Sequence, residues 1–198
     1  MSKKESTFLG MLLSLLIITV ISGFSLGFVN DLTLAPKAKA KLEKKVNALK
    51  LVLPTFDNNP VADMKLVKAE TVADSVEIYP AYLKNEFVGA AVIGTTDKGF
   101  SGLVKLMIGF KPSGEIENIA VLEQKETPGL GTKMTEVKFL QQFKGINIST
   151  YKLKVKKDGG DVDALTGATI STRAFCDATQ MAYDAFIKNN GSLIGLKN

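Results

Sequence analysis

Between Glu5 and Asp31 no residue carries a charge, and within that gap Phe8 to Val29 is an unbroken run of apolar and small side chains. Wound as a helix at about 1.5 Å per residue, these about 22 residues reach about 33 Å, enough to cross a hydrocarbon layer of about 30 Å. The sequence therefore predicts a transmembrane anchor over residues 1–30. A cleaved signal peptide is the competing reading, because Lys3 and Lys4 make a basic start and Ala38-Lys39-Ala40 is a small-x-small site. The apolar run is longer than a signal core of roughly 7–15 residues, and that site lies far beyond its end, so retention is the better match. The remaining chain has the length of one ordinary domain.

Charge does not settle which side of the membrane that domain faces. Lysines at 37, 39, 41, 44 and 45 outnumber Lys3 and Lys4, which on a plain count keeps the domain inside. The rule weakens when a long folded domain follows a first helix.

Composition excludes several function classes. The net charge is +5, yet the lysines are dispersed among acids without interleaved aromatics, which argues against nucleic acid as a partner. Histidine is absent and Cys176 is the only cysteine. A zinc, haem or iron–sulfur site therefore lacks its usual ligands, and no Ser-His-Asp or Cys-His machinery can be built, so no catalytic residue and no metal site is assigned. One cysteine makes no internal disulfide, and Cys176 reads as a small apolar filler in a helix. No Gly-x-Gly-x-x-Gly follows a strand, which removes a dinucleotide fold.

Past Pro36, residues 31–54 read as a linker and a short amphipathic helix, with Leu42, Val46, Leu49 and Leu53 at helical spacing and a stop near Pro54. This helix is expected to act as a stalk and as a lid for a sheet. The domain proper is expected over residues 55–198, with residues 55–75 as irregular connection. Short β-like runs follow at Val76 to Leu83, Phe87 to Gly94, Gly102 to Phe110 and Ile116 to Leu122, separated by turn residues such as Lys84-Asn85 and Pro112-Ser113-Gly114. They predict an antiparallel meander, with Val104, Leu106, Ile108 and Phe110 on one face. After a glycine-rich break from Gln124 to Thr132, the pattern predicts a helix from Met134 to about Phe143 and one more strand from Ile146 to Val155. A final helix is expected from Ser171 or Thr172 to about Lys188, capped by one of those hydroxyls and burying Phe175, Ala178, Ala182, Ala185 and Phe186. The fold class is α+β: an N-terminal transmembrane helix, then a domain with an antiparallel sheet flanked by helices.

The most informative stretch is Asp163-Ala164-Leu165-Thr166-Gly167-Ala168-Thr169-Ile170-Ser171-Thr172, a small hydroxyl-rich turn feeding a helix. Free N–H groups in a first helical turn and the helix dipole favour a phosphate there, and Gly167 and Ala168 allow close approach. Taken alone, the same residues equally describe an ordinary capped turn at a helix start.

Asp163 to Thr169 resembles the flavinylation motif Asp-x-x-Ser/Thr-Gly-Ala-Thr of the RnfG and NqrC families of membrane electron-transport subunits and of related FMN-binding domains. The resemblance implies that Thr169 carries FMN through a phosphoester, and that a separate flavin transferase makes the bond from FAD with a divalent cation. It also places Thr166, Gly167, Ala168, Ser171 and Thr172 around the attachment and makes Asp163 the acid read by the transferase. A second match is Glu126-Thr127-Pro128-Gly129-Leu130-Gly131, which resembles the Glu-Thr-Pro-Gly-Leu-Gly loop of the same families. By that resemblance Glu126, Thr127, Leu130, Gly131 and Thr132 are flavin-side candidates. Lys133 is either a cation that stabilises reduced flavin or a solvated surface lysine. The family often has His where Gln124 stands, a departure that bears on a proton-donating role at that position and not on the covalent link. Gly99-Phe100-Ser101-Gly102 resembles the family's Gly-Tyr-x-Gly, with Phe for Tyr, and is assigned to structure.

The compact length is closer to RnfG than to NqrC. The function implied is an electron-relay subunit of a membrane-bound, ion-translocating ferredoxin:NAD oxidoreductase (Rnf) complex. Such a chain is not a complete enzyme alone, and it exchanges electrons with flavin or iron–sulfur carriers in neighbouring subunits. Its place would be the inner (cytoplasmic) membrane as a single-pass protein, with the C-terminal domain on the periplasmic side. An NqrC-like subunit of a sodium-translocating NADH:quinone reductase is the nearest alternative, and a membrane-anchored ligand-binding module without flavin is the alternative of another class.

Overall fold

The computed structural model describes residues 7–68 and 75–194, and two compact units divide it, Met1–Glu43 and Lys44–Asn198. In the first unit, α1 (Phe8–Val52) begins with the uncharged run, and every residue from Phe8 to Leu32 is exposed. Length and composition are those of a membrane-crossing helix. Pro36 lies inside α1 rather than before a separate helix.

In the second unit the sheet is a meander of five antiparallel strands in sequence order: β1 (Lys65–Lys68), β2 (Ser75–Leu83), β3 (Glu86–Gly99), β4 (Gly102–Phe110) and β5 (Ile116–Gln124). Four of these match the runs read in the sequence. The fifth, β1, lies in the stretch expected to be irregular and pairs Lys65 with Ile78 through Lys68 with Ser75. The rest of that stretch, residues 69–74, falls outside the described residues.

Both faces of the sheet are covered. Val104, Leu106, Ile108 and Phe110 share the expected face and are fully buried against the last helix, α3 (Thr169–Ile194), which contributes Phe175, Ala178, Ala182, Ala185 and Phe186. The opposite face, with Tyr79, Ala81, Ala91, Ile93 and Met107, is closed by Ala48, Leu49, Val52 and Leu53. The end of α1 is thus a lid, with Leu49 and Leu53 of the expected stripe buried, Val46 half-buried and Leu42 exposed. Two glycines let the helices come this close, because a Cβ on Gly94 would run into the carbonyl of Ala178 and one on Gly109 into that of Val52. Cys176 is buried in the α3 core, and burial pushes its thiol up to about 12, as an inert filler requires.

Three expectations are corrected. Ile146 to Val155 forms only isolated bridges, Asn147 with Glu115 and Val155 with Val162, and no strand: between them Asn147 accepts the backbone N–H groups of Thr150 and Tyr151 through its carbonyl and that of Ser149 through its side chain. Ile148, Leu153 and Val155 are nevertheless buried, which accounts for the strand-like alternation. The helix expected from Met134 to Phe143 is broken into a 3-10 turn (Gly131–Thr135), α2 (Val137–Leu140) and another 3-10 turn (Gln141–Phe143), because Glu136 is extended at φ −74°, ψ 140°. And α3 starts at Thr169, ahead of the expected Ser171 or Thr172, because the N–H of Thr172 already bonds to Ala168 O at 3.0 Å.

A polar cluster fastens the lid. Lys45 Nζ lies 2.7 Å from Glu77 Oε2, the Tyr79 hydroxyl donates to the same oxygen, and Lys45 sits 5.5 Å from the Tyr79 ring centroid. Burial alone would raise the Glu77 carboxyl, but the hydrogen bonds from Lys45 and Tyr79 outweigh it and hold the group below its ordinary 4.5. Burial and the bond to Glu77 push Tyr79 up to about 12. A lowered carboxylate contributes stability above its unfolded range that is lost as pH falls through the folded value, and a raised phenol contributes stability lost as pH rises from about 10 to about 12. Glu77→Gln should therefore cost about 1 kcal/mol in urea unfolding of the solubilised full chain at pH 7. The deficit should shrink as pH falls through the lowered range of the folded carboxyl, and a deficit unchanged by acid would contradict this role for the carboxylate.

Candidate functional site

The turn that opens α3 is built by its own side chains. The N–H of Ala168 closes on Leu165 O at 2.9 Å, and Gly167 takes φ +74° to complete it, a left-handed conformation that glycine adopts without cost. Thr172 then ties turn to helix from inside: its Oγ1 accepts the N–H of Leu165 and donates to Ala168 O, both at 3.0 Å. Ala168 supplies the first helical carbonyl, and Thr169, Ile170 and Ser171 are the first three helical residues, whose N–H groups have no i−4 carbonyl within the helix. The expected cap by Ser171 or Thr172 is not formed. Thr172 performs a related task from one turn further in.

The glycine-rich loop between β5 and the first 3-10 turn packs against this turn. Glu126 is 4 % exposed; its Oε2 accepts the Ser171 hydroxyl at 2.5 Å and its Oε1 the N–H of Ser101 at 3.2 Å. A Cβ on Gly131 would lie 2.5 Å from Ser171 Oγ and 2.7 Å from Glu126 Cβ, and one on Gly167 would lie 3.2 Å from a Leu130 methyl. One on Gly99 would lie 2.5 Å from Glu126 Oε1. Three stretches far apart in sequence therefore meet at one buried carboxylate. The loop also braces itself, with Thr132 Oγ1 accepting the N–H of Gly129 at 2.9 Å and Gln124 Oε1 accepting that of Glu126 at 2.6 Å. Gln124 has a structural task at the position where the related families often carry His.

The sequence-derived candidates sort into two groups. Ala168, Ser171, Thr172, Glu126 and Gly131 are buried and hold the site from beneath. Thr169, Thr127 and Thr132 are half-buried, Thr166 and Gly167 are exposed, and Leu130 is exposed beside Gly167. Of the motif's four hydroxyls, those of Ser171 and Thr172 are engaged within the protein, whereas Thr166 and Thr169 make no side-chain hydrogen bond among the described residues. Lys133 is half-buried. Asp163 is exposed and pairs with Lys156 at 2.7 Å, and its backbone is gripped on both sides by Gln142, which accepts from Asp163 N at 2.8 Å and donates to its carbonyl at 3.3 Å.

Residues missed by sequence reasoning are Ser101, Gln142 and Lys156. Ser101 lies within a motif legible in the sequence, whereas nothing local marks the others. A groove of about 710 Å³ runs beside this region, lined by Thr96, Lys98, Lys105, Asp177, Met181 and Asp184 among others. It includes none of the motif residues, so the interlocked turn and loop remain the better candidate site.

Residues 99–184 match the FMN-binding domain family. The chain is 33% identical over 180 residues to the G subunit of the ion-translocating oxidoreductase complex of Shewanella piezotolerans, covering 84% of this chain and 83% of that one. It is 30% identical over 191 residues to the protein of the same name from Vibrio atlanticus, covering 90% and 91%. Among solved structures, NqrC of Shewanella oneidensis shares the fold with a TM-score of 0.50 at 18% identity, covering 71% of this chain and 69% of that one.

Proposed function

The chain belongs to the RnfG family, the G subunits of ion-translocating oxidoreductase complexes, and from that premise we propose that it is a membrane-anchored electron-relay subunit carrying FMN on Thr169. The observation that carries this reading is the hydroxyl of Thr169, which has no hydrogen-bond partner among the described residues at the first position of α3. Small residues precede it, helical N–H groups surround it, and the Leu130 loop is locked against its turn. A phosphate there meets donors and a favourable dipole end, and Leu130 and Ile170 offer exposed apolar surface for a ring. Bound FMN would supply reversible redox chemistry at its ring, and the protein's part is to hold it and to keep the tether short.

The attachment is a phosphoryl transfer. With FAD as donor, Thr169 Oγ forms a bond to the phosphorus on the riboflavin side, the bond from that phosphorus to the bridging oxygen breaks, and AMP leaves. The hydroxyl proton goes to a base on the transferase, since this chain has no histidine to take it. Asp163, exposed beside the turn, is the recognition element. Thr166, Gly167, Thr127, Leu130 and Thr132 face the cofactor, and the buried Ala168, Ser171, Thr172, Glu126 and Gly131 support them.

In this reading residues 1–30 are the anchor, residues 31–54 the connection and residues 55–198 the domain, on the periplasmic side of the inner membrane. The complex is the ferredoxin:NAD type, and the partners are its membrane and iron–sulfur subunits together with the flavin transferase during maturation. A place in a sodium-translocating NADH:quinone reductase is the second reading, favoured only by the shared fold with NqrC.

The test is co-expression of the full chain with and without a flavin transferase, followed by a denaturing gel viewed for flavin fluorescence. A fluorescent band that requires the transferase is expected. A dark band, with the transferase active on a control substrate, would favour a binding module without flavin.

A further inference from the structure

Arg173 follows Thr169 by four residues on α3, which puts the two side chains on the same helical face about 6 Å apart at Cβ. Helical side chains lean toward the N-terminus, which is the side of Arg173 on which Thr169 lies. It is not left to wander. Arg173 Nε donates to Asp158 Oδ2 at 2.7 Å and Nη2 to Asp158 Oδ1 at 2.8 Å, a two-pronged grip by the last residue of the 3-10 turn Lys156–Asp158. The hydrogen bond from Arg173 holds the Asp158 carboxyl below its ordinary range, so the pair stays charged at neutral pH. This grip uses one edge of the guanidinium, and the Nη1 edge makes no hydrogen bond among the described residues. A guanidinium has five N–H donors, and a free edge of this kind matches the two oxygens of a phosphate.

We infer that Arg173, aimed by Asp158, binds the phosphate group at Thr169, first on the incoming donor and then on the finished phosphodiester. The inference rests on the Thr169 reading and extends it to this chain's own charge-neutralising residue. It gives Asp158 a positioning task through Arg173. Lys156 on the same 3-10 turn is paired with Asp163 at 2.7 Å, whereas Arg173 keeps its Nη1 edge open among the described residues.

The experiment uses the full chain solubilised from membranes, with purified flavin transferase and FAD. Two quantities are read for the parent, Arg173→Gln, Arg173→Lys and Asp158→Asn: the initial rate of flavin incorporation, and the change in melting temperature on going from unmodified to flavinylated protein. Arg173→Gln is expected to lower kcat/KM for incorporation about tenfold or more, as for loss of a charge-assisted contact. It should also lose part of the melting-temperature gain that modification brings. Arg173→Lys should recover part of both, keeping charge without the planar fork. Should Arg173→Gln not fold, Asp158→Asn keeps the cation but frees it, and about a threefold loss of rate is expected. If Arg173→Gln is flavinylated at the parent rate and lowers the melting temperature of both forms equally, the pair is only a tether for its loop and the inference is overturned. A parent that takes no flavin at all would instead remove the Thr169 reading, and this inference with it.

Discussion

Thr169→Ala is expected to eliminate covalent flavin completely while leaving the fold untouched. The Thr169 hydroxyl makes no hydrogen bond among the described residues, and its loss strips α3 of no bond that the turn depends on. The melting temperature of the unmodified protein should therefore move by no more than about 1–2 °C, as for a half-buried substitution that breaks no hydrogen bond. In-gel fluorescence after co-expression with the transferase should fall to background. Thr166→Ala is the matched control, since Thr166 also has a free hydroxyl among the described residues but lies outside the helix. It should retain a fluorescent band, and the opposite pattern would move the attachment three residues upstream.

The second large effect is expected at Gly131. An alanine there would set its methyl 2.5 Å from Ser171 Oγ and 2.8 Å from Glu126 Oε2, against atoms that are themselves buried. Either the loop moves or the Ser171–Glu126 bond breaks, and in the second case a carboxylate stays buried with only Ser101 N–H to answer it. Overpacking plus loss of a charge-assisted bond destabilises by about 3 kcal/mol. For a unit of this size that lowers the melting temperature by roughly 6–12 °C. Because Gly131 is coupled to Ser171, the third residue of α3, flavin incorporation should fall as well, even though Thr169 itself is intact. A Gly131→Ala protein with parental stability would show that the loop and the turn are not mechanically joined.

The meander and the closing helix are legible in the sequence because each element carries a period of its own. Val104, Leu106, Ile108 and Phe110 alternate as a half-covered strand must, and Phe175, Ala178, Ala182, Ala185 and Phe186 trace one helical stripe. Residues 146–155 carry the same alternation and are not a strand, because side chains can face a core in alternation while Asn147 closes the backbone bonds locally. Periodicity reports burial; it does not report a ladder. The start of α3 is read two or three residues late from sequence for a related reason: Ser171 and Thr172 are good caps in isolation, but Glu126 engages one and the Leu165 turn the other. Those partners lie up to 45 residues away in sequence, beyond any local signal. The same holds for the site. Both motifs can be read as motifs, whereas their joining through Glu126, the grip of Gln142 on Asp163 and the pairing of Arg173 with Asp158 are tertiary facts.

The covalent link at Thr169 is tested most directly by intact-mass measurement of the protein purified from its native host, followed by mapping of the modified peptide. The expected result is a single species heavier than the bare chain by one FMN less one water, with the added mass on the peptide that contains Thr169. A polypeptide of unmodified mass, taken from a host whose transferase is active, would contradict it.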